Sequence, residues 1–338
     1  KTHLGFVAVS AGLGGWTLSV NHTYDPLGQV FYGGDGDKRS AQSISDIITT
    51  YAGNGMRNYS GDGGLATSAS LKNLGNIALG KDGSLYIVDS SDARIRKVTP
   101  DGFITTVAGI GSWGFSGDGG PATEAKLRFP EGIAIGPDNS LYFSDTGNYR
   151  IRKISQEGII STIAGNGIEK LYGDGIPALQ ASFRSPQGIT VAPDGSLYIA
   201  DSSRIRKITP DGIINTVVEN GDNWSYDGDK ALEGGLGGAS FITLGKDGSL
   251  YISDTGNQRI IKVSPDGIMT TIAGLGYPWF SGDGGPAKEA GLYRPQGLAF
   301  DEDGNLYIAD SYNHYIRKIS TDGIITSVAP EFDSYDYK

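Results

Sequence analysis

The residues best suited to bind a ligand are aspartates in a loop motif that recurs along the chain. The motif is Ser-Gly-Asp-Gly-Gly in its full copies, and its aspartates are Asp62, Asp118, Asp174, Asp227 and Asp283. Calcium prefers oxygen ligands of this kind. One carboxylate per loop is too few for a calcium site, however, and EF-hand spacing is absent. We therefore predict a local role, in which each carboxylate accepts hydrogen bonds from its own glycine turn.

Aromatic residues give the same loops a second binding chemistry. Tyr59 and Tyr172 precede the motif, and we predict that each such ring packs on the short helix of its own loop. Trp113, Trp224 and Trp279 do not repeat strictly, and the sequence leaves open whether they pack or form an exposed platform for a sugar ring or a protein. The candidate ligand-binding residues are Tyr59, Asp62, Trp113, Asp118, Tyr172, Asp174, Trp224, Asp227, Trp279 and Asp283.

Residues typical of a catalytic centre are few. The chain has no cysteine and three histidines, His3, His22 and His314. No repeat places a histidine at a matching position, as a shared metal site would require, and a Gly-x-Ser-x-Gly nucleophile turn is absent. We predict a protein that is not an enzyme and that needs no metal or other cofactor.

Charge and hydropathy narrow the range of partners. The net charge of −10 opposes non-specific attraction to nucleic acid. The sequence contains no run of about 18 apolar residues, so it predicts no membrane span. The chain begins at Lys1 without a methionine or a signal peptide, as expected of a domain joined to flanking domains of a longer chain. The predicted partners are a protein or a glycan.

The elements that position these residues are repeats. A Leu-Tyr pair recurs at Leu85, Leu141, Leu197, Leu250 and Leu306, with spacings of 56, 56, 53 and 56 residues. Such a fixed period indicates one supersecondary unit used many times. The copy around Leu197 predicts strands at 188–192, 197–200, 204–208 and 213–218, with Asp-Gly hairpin turns between the first and second strands and between the third and fourth.

A repeated four-stranded meander predicts an all-β fold, a six-bladed β-propeller of antiparallel blades. Residues 1–15 are an N-terminal extension, residues 16–330 form the propeller, and residues 331–338 are a C-terminal tail. The complete blades are predicted at 75–109, 132–165, 188–219, 240–274 and 297–329. A degenerate first blade is predicted at 16–53, with first, second and fourth strands at 16–20, 29–32 and 47–53.

Connectivity predicts which loops share a face. The Asp-Gly hairpins crowd one face, while the turns between second and third strands and the interblade insertions share the other, where we expect binding. Each insertion continues into an alanine-rich stretch such as 122–127, which predicts a helix of one or two turns. The aspartates that follow second strands are predicted to pair with arginines of the third strand inside each blade. They are Asp89, Asp145, Asp201, Asp254 and Asp310.

Three recurring motifs carry a resemblance to a known family. They are Leu-Tyr-Ile-Ala-Asp, Asn-x-Arg-Ile-Arg-Lys and Asp-Gly-Ile-Ile-x-Thr-Ile-Ala-Gly, and together they resemble the NHL-repeat family of six-bladed propellers over residues 16–330. The Gly-Phe-Ser-Gly-Asp-Gly-Gly-Pro-Ala loops and the segment from Gly12 to Pro26 further resemble the propeller of bacterial YD-repeat (RHS-type) proteins and of the teneurins.

The resemblance implies a module of a large secreted or cell-surface protein that works in adhesion, recognition or toxin encapsulation. We expect a non-enzymatic recognition or scaffold module that binds its partner through the interblade-loop face. The first alternative is a carbohydrate-binding propeller that uses the loop tryptophans. The second is a metal-dependent lyase or lactonase, because related propellers include such enzymes.

Overall fold

The computed structural model describes residues 19–20, 48–219 and 227–329. In it, short apolar runs separated by Asp-Gly turns form antiparallel hairpins, and these hairpins build five four-stranded sheets. We call them blades A to E. The strands before and within blade A are β1 (Ser19–Val20), β2 (Ile48–Thr49), β3 (Leu74–Leu79), β4 (Leu85–Asp89), β5 (Arg94–Val98) and β6 (Ile104–Ala108). Blade B comprises β7 (Pro130–Ile135), β8 (Leu141–Asp145), β9 (Arg150–Ile154) and β10 (Ile160–Ala164).

Blades C, D and E repeat the same arrangement. Blade C comprises β12 (Pro186–Val191), β13 (Leu197–Asp201), β14 (Arg204–Ile208) and β15 (Ile213–Val218), with the short strand β11 (Ile176–Pro177) added to its edge. Blade D comprises β16 (Ala239–Leu244), β17 (Leu250–Asp254), β18 (Arg259–Val263) and β19 (Met269–Ala273). Blade E comprises β20 (Pro295–Phe300), β21 (Leu306–Asp310), β22 (Tyr315–Ile319) and β23 (Ile325–Ala329). The predicted propeller of four-stranded antiparallel blades is confirmed.

The blades pack face to face around the first strands. The first strands β3, β7, β12, β16 and β20 contact one another in succession, which makes them the innermost strands and the fourth strands the outermost. Side chains on both faces of blades B, C and D are buried, because each of these blades has a neighbouring blade on either side. The core between blades A and B, for example, joins Val88 and Ile95 of blade A to Leu141 and Phe143 of blade B.

The predicted short helices form 3-10 rather than α-helical turns, and each is a single turn. The alanine-rich stretches before blades A, B, C and E each form a three-residue 3-10 turn, whereas the stretch before blade D, which the structure describes from residue 227, forms none. Pro121 precedes its turn in an extended conformation because it pairs with Ile159 beside the outer strand of blade B. A residue held in such a pairing cannot also begin an α-helix. The 3-10 turns are Ala66–Ser68, Ser90–Asp92, Ala122–Glu124, Thr146–Asn148, Ala178–Gln180, Thr255–Asn257 and Ala287–Glu289.

The degenerate first blade differs from its predicted strand order. β1 pairs directly with β2, with Val20 opposite Ile48 and Ser19 opposite Thr49, whereas the predicted meander placed two strands between them. Residues 35–46 are polar where the third strand was expected, and β1 supplies the backbone partner that a third strand supplies elsewhere. The predicted second strand at 29–32, the extension at 1–15 and the tail at 331–338 lie outside the described residues.

Candidate recognition surface

The loop aspartates bind buried arginines of the third strand. Asp118 Oδ1 lies 2.8 Å from Arg152 Nη2, and the Arg152 side chain is fully buried. The same pairing occurs in blades A, C and E, at 2.5 Å for Asp62–Arg96, 3.2 Å for Asp174–Arg206 and 2.6 Å for Asp283–Arg317. A buried guanidinium needs carboxylate partners to offset its loss of hydration. These aspartates therefore compensate the charge of the buried arginines.

The same arginines reach the aspartate at the end of the second strand. Arg152 Nη1 lies 3.2 Å from Asp145 Oδ2, which also accepts a hydrogen bond of 2.8 Å from Asn148. Blades D and E make this contact through Arg259 to Asp254 (2.8 Å) and Arg317 to Asp310 (3.5 Å). The predicted pairing of these aspartates inside the blade is thus confirmed in blades B, D and E.

Blades A and C lack the direct contact. Oδ2 of Asp89 and of Asp201 has no hydrogen-bond partner among the described residues. In blade A the residue equivalent to Asn148 is Asp92. In blade C the turn between the second and third strands is two residues shorter than in blade B. Burial raises the pKa of Asp89 to about 7, because the low-dielectric interior disfavours its charged form and Asp92 adds repulsion.

The insertions lie along the outer edge of the following blade. The amide N–H of Gly119 donates to the carbonyl oxygen of Ile160 (2.8 Å), and the N–H of Ile160 donates to Gly120 (3.0 Å), so the glycine turn extends the sheet beyond β10. In blade A, the carboxylate of Asp62 accepts a hydrogen bond from the backbone N–H of Thr106 (3.1 Å). The prediction that the aspartates bind their own glycine turn is wrong, because the carboxylates bind arginine and the exposed edge of the fourth strand.

The aromatic rings before the motif stack on third-strand side chains. The guanidinium carbon of Arg94 lies 3.6 Å from the ring centre of Tyr59, and that of Arg150 lies 3.8 Å from Phe115. Phe280 stacks on Tyr315 with ring centres 4.4 Å apart. The prediction that these rings pack on their own helices names the wrong partner, because the 3-10 turns offer only three residues to pack against.

Trp113, Trp279 and Tyr172 remain accessible. Trp113 is 59% exposed, stacks at 4.7 Å on Phe129 and donates a hydrogen bond of 3.4 Å to the carbonyl oxygen of Ser91, in the turn between β4 and β5. Trp279 is 70% exposed, and Tyr172 is 58% exposed. Trp224 lies outside the described residues. Two of the three tryptophans therefore present their rings beside turns between second and third strands or interblade links.

Blade D departs from the common pattern. Its third strand has Ile261 at the position of the buried arginine, and Arg259 takes over the contact with Asp254. Asp227 consequently pairs with Lys288 at 3.0 Å and accepts a hydrogen bond of 2.6 Å from the Thr271 amide.

The candidate residues do not converge on one site. Each loop aspartate belongs to its own blade, and the described residues contain no cluster of three or more histidines and acids able to hold a metal ion. Within those residues no helix is long and apolar enough to cross a membrane. The arginine partners of the loop aspartates were missed by the sequence interpretation. The sequence signal for these partners was the second arginine of each Arg-Ile-Arg strand, because the alternation of side chains along a strand points that arginine toward the inside of the protein.

The repeats of this chain match a known protein family. A sequence profile described as "Teneurin NHL domain" matches residues 51–116, 111–171, 167–227 and 279–334, which is more than half of the chain. The chain belongs to the teneurin NHL domain family. Residues 228–278, which the profile does not match, contain blade D, the blade without the buried third-strand arginine. The NHL resemblance seen in the sequence is confirmed.

Full-length relatives are much longer than this NHL domain. Teneurin-3 of Danio rerio is 28% identical over 402 residues and Teneurin-m of Drosophila melanogaster is 27% identical over 408 residues, with 93% and 96% of the chain covered. The chain spans 15% of the length of each.

Solved structures share the fold. A protein of unknown function from Bacteroides thetaiotaomicron is 21% identical with a TM-score of 0.59, and 81% of this chain and 62% of that chain are covered. A gluconolactonase from Xanthomonas campestris is 14% identical with a TM-score of 0.51, with 76% and 75% covered. At such low identity these likenesses show the fold alone.

Proposed function

We propose that this NHL domain is a non-enzymatic recognition module of a larger secreted or cell-surface protein. It binds a protein partner through the interblade loops on the face of the turns between second and third strands. The observation that carries the proposal is that the loops contain two kinds of residue, one paired within the protein and one exposed. The charged side chains of the repeat bind one another, whereas large aromatic side chains that the repeat does not require remain exposed.

Within this proposal the candidate site residues divide into two groups. Trp113, Tyr172 and Trp279 contact the partner, since exposed tryptophan and tyrosine dominate the energetics of protein interfaces. Trp224 is proposed to contact it as well. The aspartates fix the loops that carry these rings; they are Asp62, Asp118, Asp174, Asp227 and Asp283.

We also propose that the ring has six blades, with residues 16–53 completing the sixth. Ala309 and Ile316 of blade E support this, because both side chains are buried. Their equivalents Val88 and Ile95 of blade A pack against the next blade along the ring. Neighbouring YD repeats in the full-length protein are part of the same proposal, which sequencing of the flanking regions tests.

A carbohydrate ligand is the second candidate, favoured by the exposed rings of Trp113 and Trp279. A metal-dependent lyase or lactonase is not proposed. The only histidine among the described residues is His314, in an exposed turn with a left-handed backbone. Stoichiometric zinc or calcium in the purified domain, with loss of a hydrolytic or lyase activity on chelation, would establish the enzymatic alternative.

The test compares binding of labelled domain to the surface of the cells that produce the full-length protein. The triple variant Trp113→Ala, Tyr172→Ala, Trp279→Ala should bind at least about tenfold more weakly, as expected for loss of interface aromatic residues. The matched control carries Asp101→Ala and Asp266→Ala in exposed hairpins of the opposite face and should bind normally. Weaker binding of the control alone would refute the proposal.

A further inference from the structure

One corner of the propeller, where the chain passes from blade D to blade E, carries an unusual cluster of aromatic rings. Tyr277, Trp279 and Tyr312 are 72%, 70% and 46% exposed. Tyr293 packs against Tyr312 with ring centres 5.1 Å apart. The side-chain amide of Asn313 donates a hydrogen bond of 3.4 Å to the carbonyl oxygen of Trp279, which ties the two halves of the corner together.

The fold does not require these rings, because the corner between blades A and B is built without them. In the order Tyr277, Trp279, Tyr293, Tyr312, the equivalent residues there are Ser112, Gly114, Arg128 and Gly147.

The backbone around the cluster has also changed to make room for it. A Cβ at Gly291 would lie 2.4 Å from the carbonyl oxygen of Trp279, whereas the equivalent residue in blade B is Lys126, which lies over Gly114. Conversely, a Cβ at Gly147 would lie 2.6 Å from Arg128, at the position where blade E accommodates Tyr312. Several positions have therefore changed together, as expected of a built site.

A cation accompanies the rings. The guanidinium carbon of Arg294 lies 4.9 Å from the ring centre of Tyr312, within the range of a cation–π contact. Arg294 is exposed and forms no ion pair within the described residues, although the chain has 38 acidic and 28 basic residues. Its backbone is fixed by a hydrogen bond of 2.6 Å from its amide to Gln258 Oε1.

Polar groups complete the corner. The phenolic hydroxyls of Tyr277, Tyr293 and Tyr312 have no hydrogen-bond partner in the part of the chain that the structure describes. The corner therefore combines exposed ring faces and free hydroxyls with the guanidinium of Arg294, which lies against Tyr312.

We propose that this corner binds an acidic sugar, a saccharide that carries a carboxylate. The apolar C–H face of the sugar packs on Trp279 and Tyr277, its hydroxyls bond to the tyrosine hydroxyls, and its carboxylate pairs with Arg294 through charge-assisted hydrogen bonds. This inference rests on the proposed recognition surface and goes beyond the proposed protein partner, since it assigns a second ligand, a carbohydrate, to one corner of that surface.

The size of the corner favours a sugar over a folded protein. A standard protein interface buries about 800 Å² on each partner. An aromatic side chain buries about 150–250 Å² when fully covered, and the four rings here are already partly buried. The corner alone therefore suits a ligand of one to three sugar rings.

The test measures the affinity of the purified domain for 3′-sialyllactose and trigalacturonate by NMR titration, each beside a neutral counterpart, lactose and the methyl-esterified trigalacturonate. At least one acidic sugar should bind about tenfold more tightly than its neutral counterpart, as one charge-assisted contact predicts. Trp279→Ala should lower that affinity at least about tenfold, and Arg294→Gln should abolish the preference for the acidic member. Raising the salt concentration should weaken acidic sugars only.

The matched control is Leu179→Ala, which removes an accessible apolar side chain from a corner without these tyrosines, and it should leave sugar binding unchanged. Equal affinity for acidic and neutral sugars, or an equal loss in Leu179→Ala and Trp279→Ala, would overturn the inference. Loss of cell binding in Trp279→Ala with no binding of either acidic sugar would point to a protein ligand, which overturns the inference and leaves the proposed function standing. Sugar binding at this corner together with normal cell binding by the triple variant would overturn the proposed function alone.

Discussion

At the residue scale, the repeats serve as natural variants of one another. Arg152 satisfies Asp118 and Asp145 at once, and its side chain is fully buried. Where the pattern changes, an unpaired group appears. Asp89 has a free carboxylate oxygen because its turn carries Asp92 in place of the asparagine found at position 148.

Asp92→Asn should make blade A resemble blade B. The native protein holds the proton of Asp89 more tightly than the unfolded chain, so its stability falls as pH rises from about 4 to about 7. The introduced asparagine side chain would donate to Asp89 and stabilise its charged form, by about 1.5–3 kcal/mol for a hydrogen bond to a charge. The melting temperature should therefore change more favourably at pH 8 than at pH 5.

The variant also loses the ion pair between Asp92 and Arg94, but that loss acts at both pH values and cancels in the comparison. The reverse exchange, Asn148→Asp in blade B, should lower the melting temperature more at pH 8 than at pH 5. Equal shifts at the two pH values in both variants would contradict this account of Asp89.

A second prediction concerns the buried arginine and follows from blade D, where Ile261 occupies that position. Arg152→Ile should destabilise the protein only modestly, because Arg150 can turn toward Asp145 as Arg259 does toward Asp254. Adding Arg150→Gln removes that substitute and leaves Asp145 buried without a cation, which should cost about 3–5 kcal/mol. Urea unfolding measures both. Equal unfolding free energies for the two variants would show that Arg150 does not take over the contact.

At the element scale, the outer edge of each blade explains why the insertions are rich in glycine. The turn follows the fourth strand closely and covers backbone groups that would otherwise template aggregation. Gly117 has φ +96°, and a Cβ there would lie 2.7 Å from the Cβ of Ala125. Gly119 has φ +82° with open space around it.

These two glycines form a matched pair for mutation. Gly119→Ala should cost about 1–2 kcal/mol, the ordinary strain of a left-handed residue. Gly117→Ala adds a backbone clash and should cost measurably more, with faster proteolysis of residues 115–125 as the turn detaches. Thermal unfolding and limited chymotrypsin digestion, which cleaves after Phe115, measure the two effects. If Gly117→Ala proves no more destabilising than Gly119→Ala, the close approach of the turn to Ala125 has no energetic importance.

The strands were predictable from the sequence because their pattern is local. The predicted strands at 197–200, 204–208 and 213–218 match β13, β14 and β15 within one residue. The loop contacts were not, because Asp118 and its partner Arg152 are 34 residues apart and no local pattern records that pairing. The aromatic corner at blades D and E emerged only when the repeats were compared in space, since Tyr312 looks like an ordinary turn residue in sequence.

At the scale of the whole molecule, the described first strands form an arc from blade A to blade E. The two ends of that arc differ from the junctions inside it. Blade E buries Ala309 and Ile316 in a small cluster with Val328 and Tyr307. The equivalents of Ile316 in blades A to D belong to larger cores between blades; they are Ile95, Ile151, Ile205 and Ile260. In the proposed six-bladed ring, one more blade joins these ends.

Deleting residues 1–47 tests that closure. On the proposed six-bladed arrangement the deletion removes β1 from β2 and uncovers the apolar positions of blade E, which should cost about 3 kcal/mol for an alanine and an isoleucine that become exposed. The truncated domain should melt several degrees lower and bind the hydrophobic dye ANS. Deletion of residues 330–338 is the control and should change neither property. If the two truncated proteins melt together and neither binds dye, residues 1–47 do not complete the ring, and blades A and E must be joined in another way.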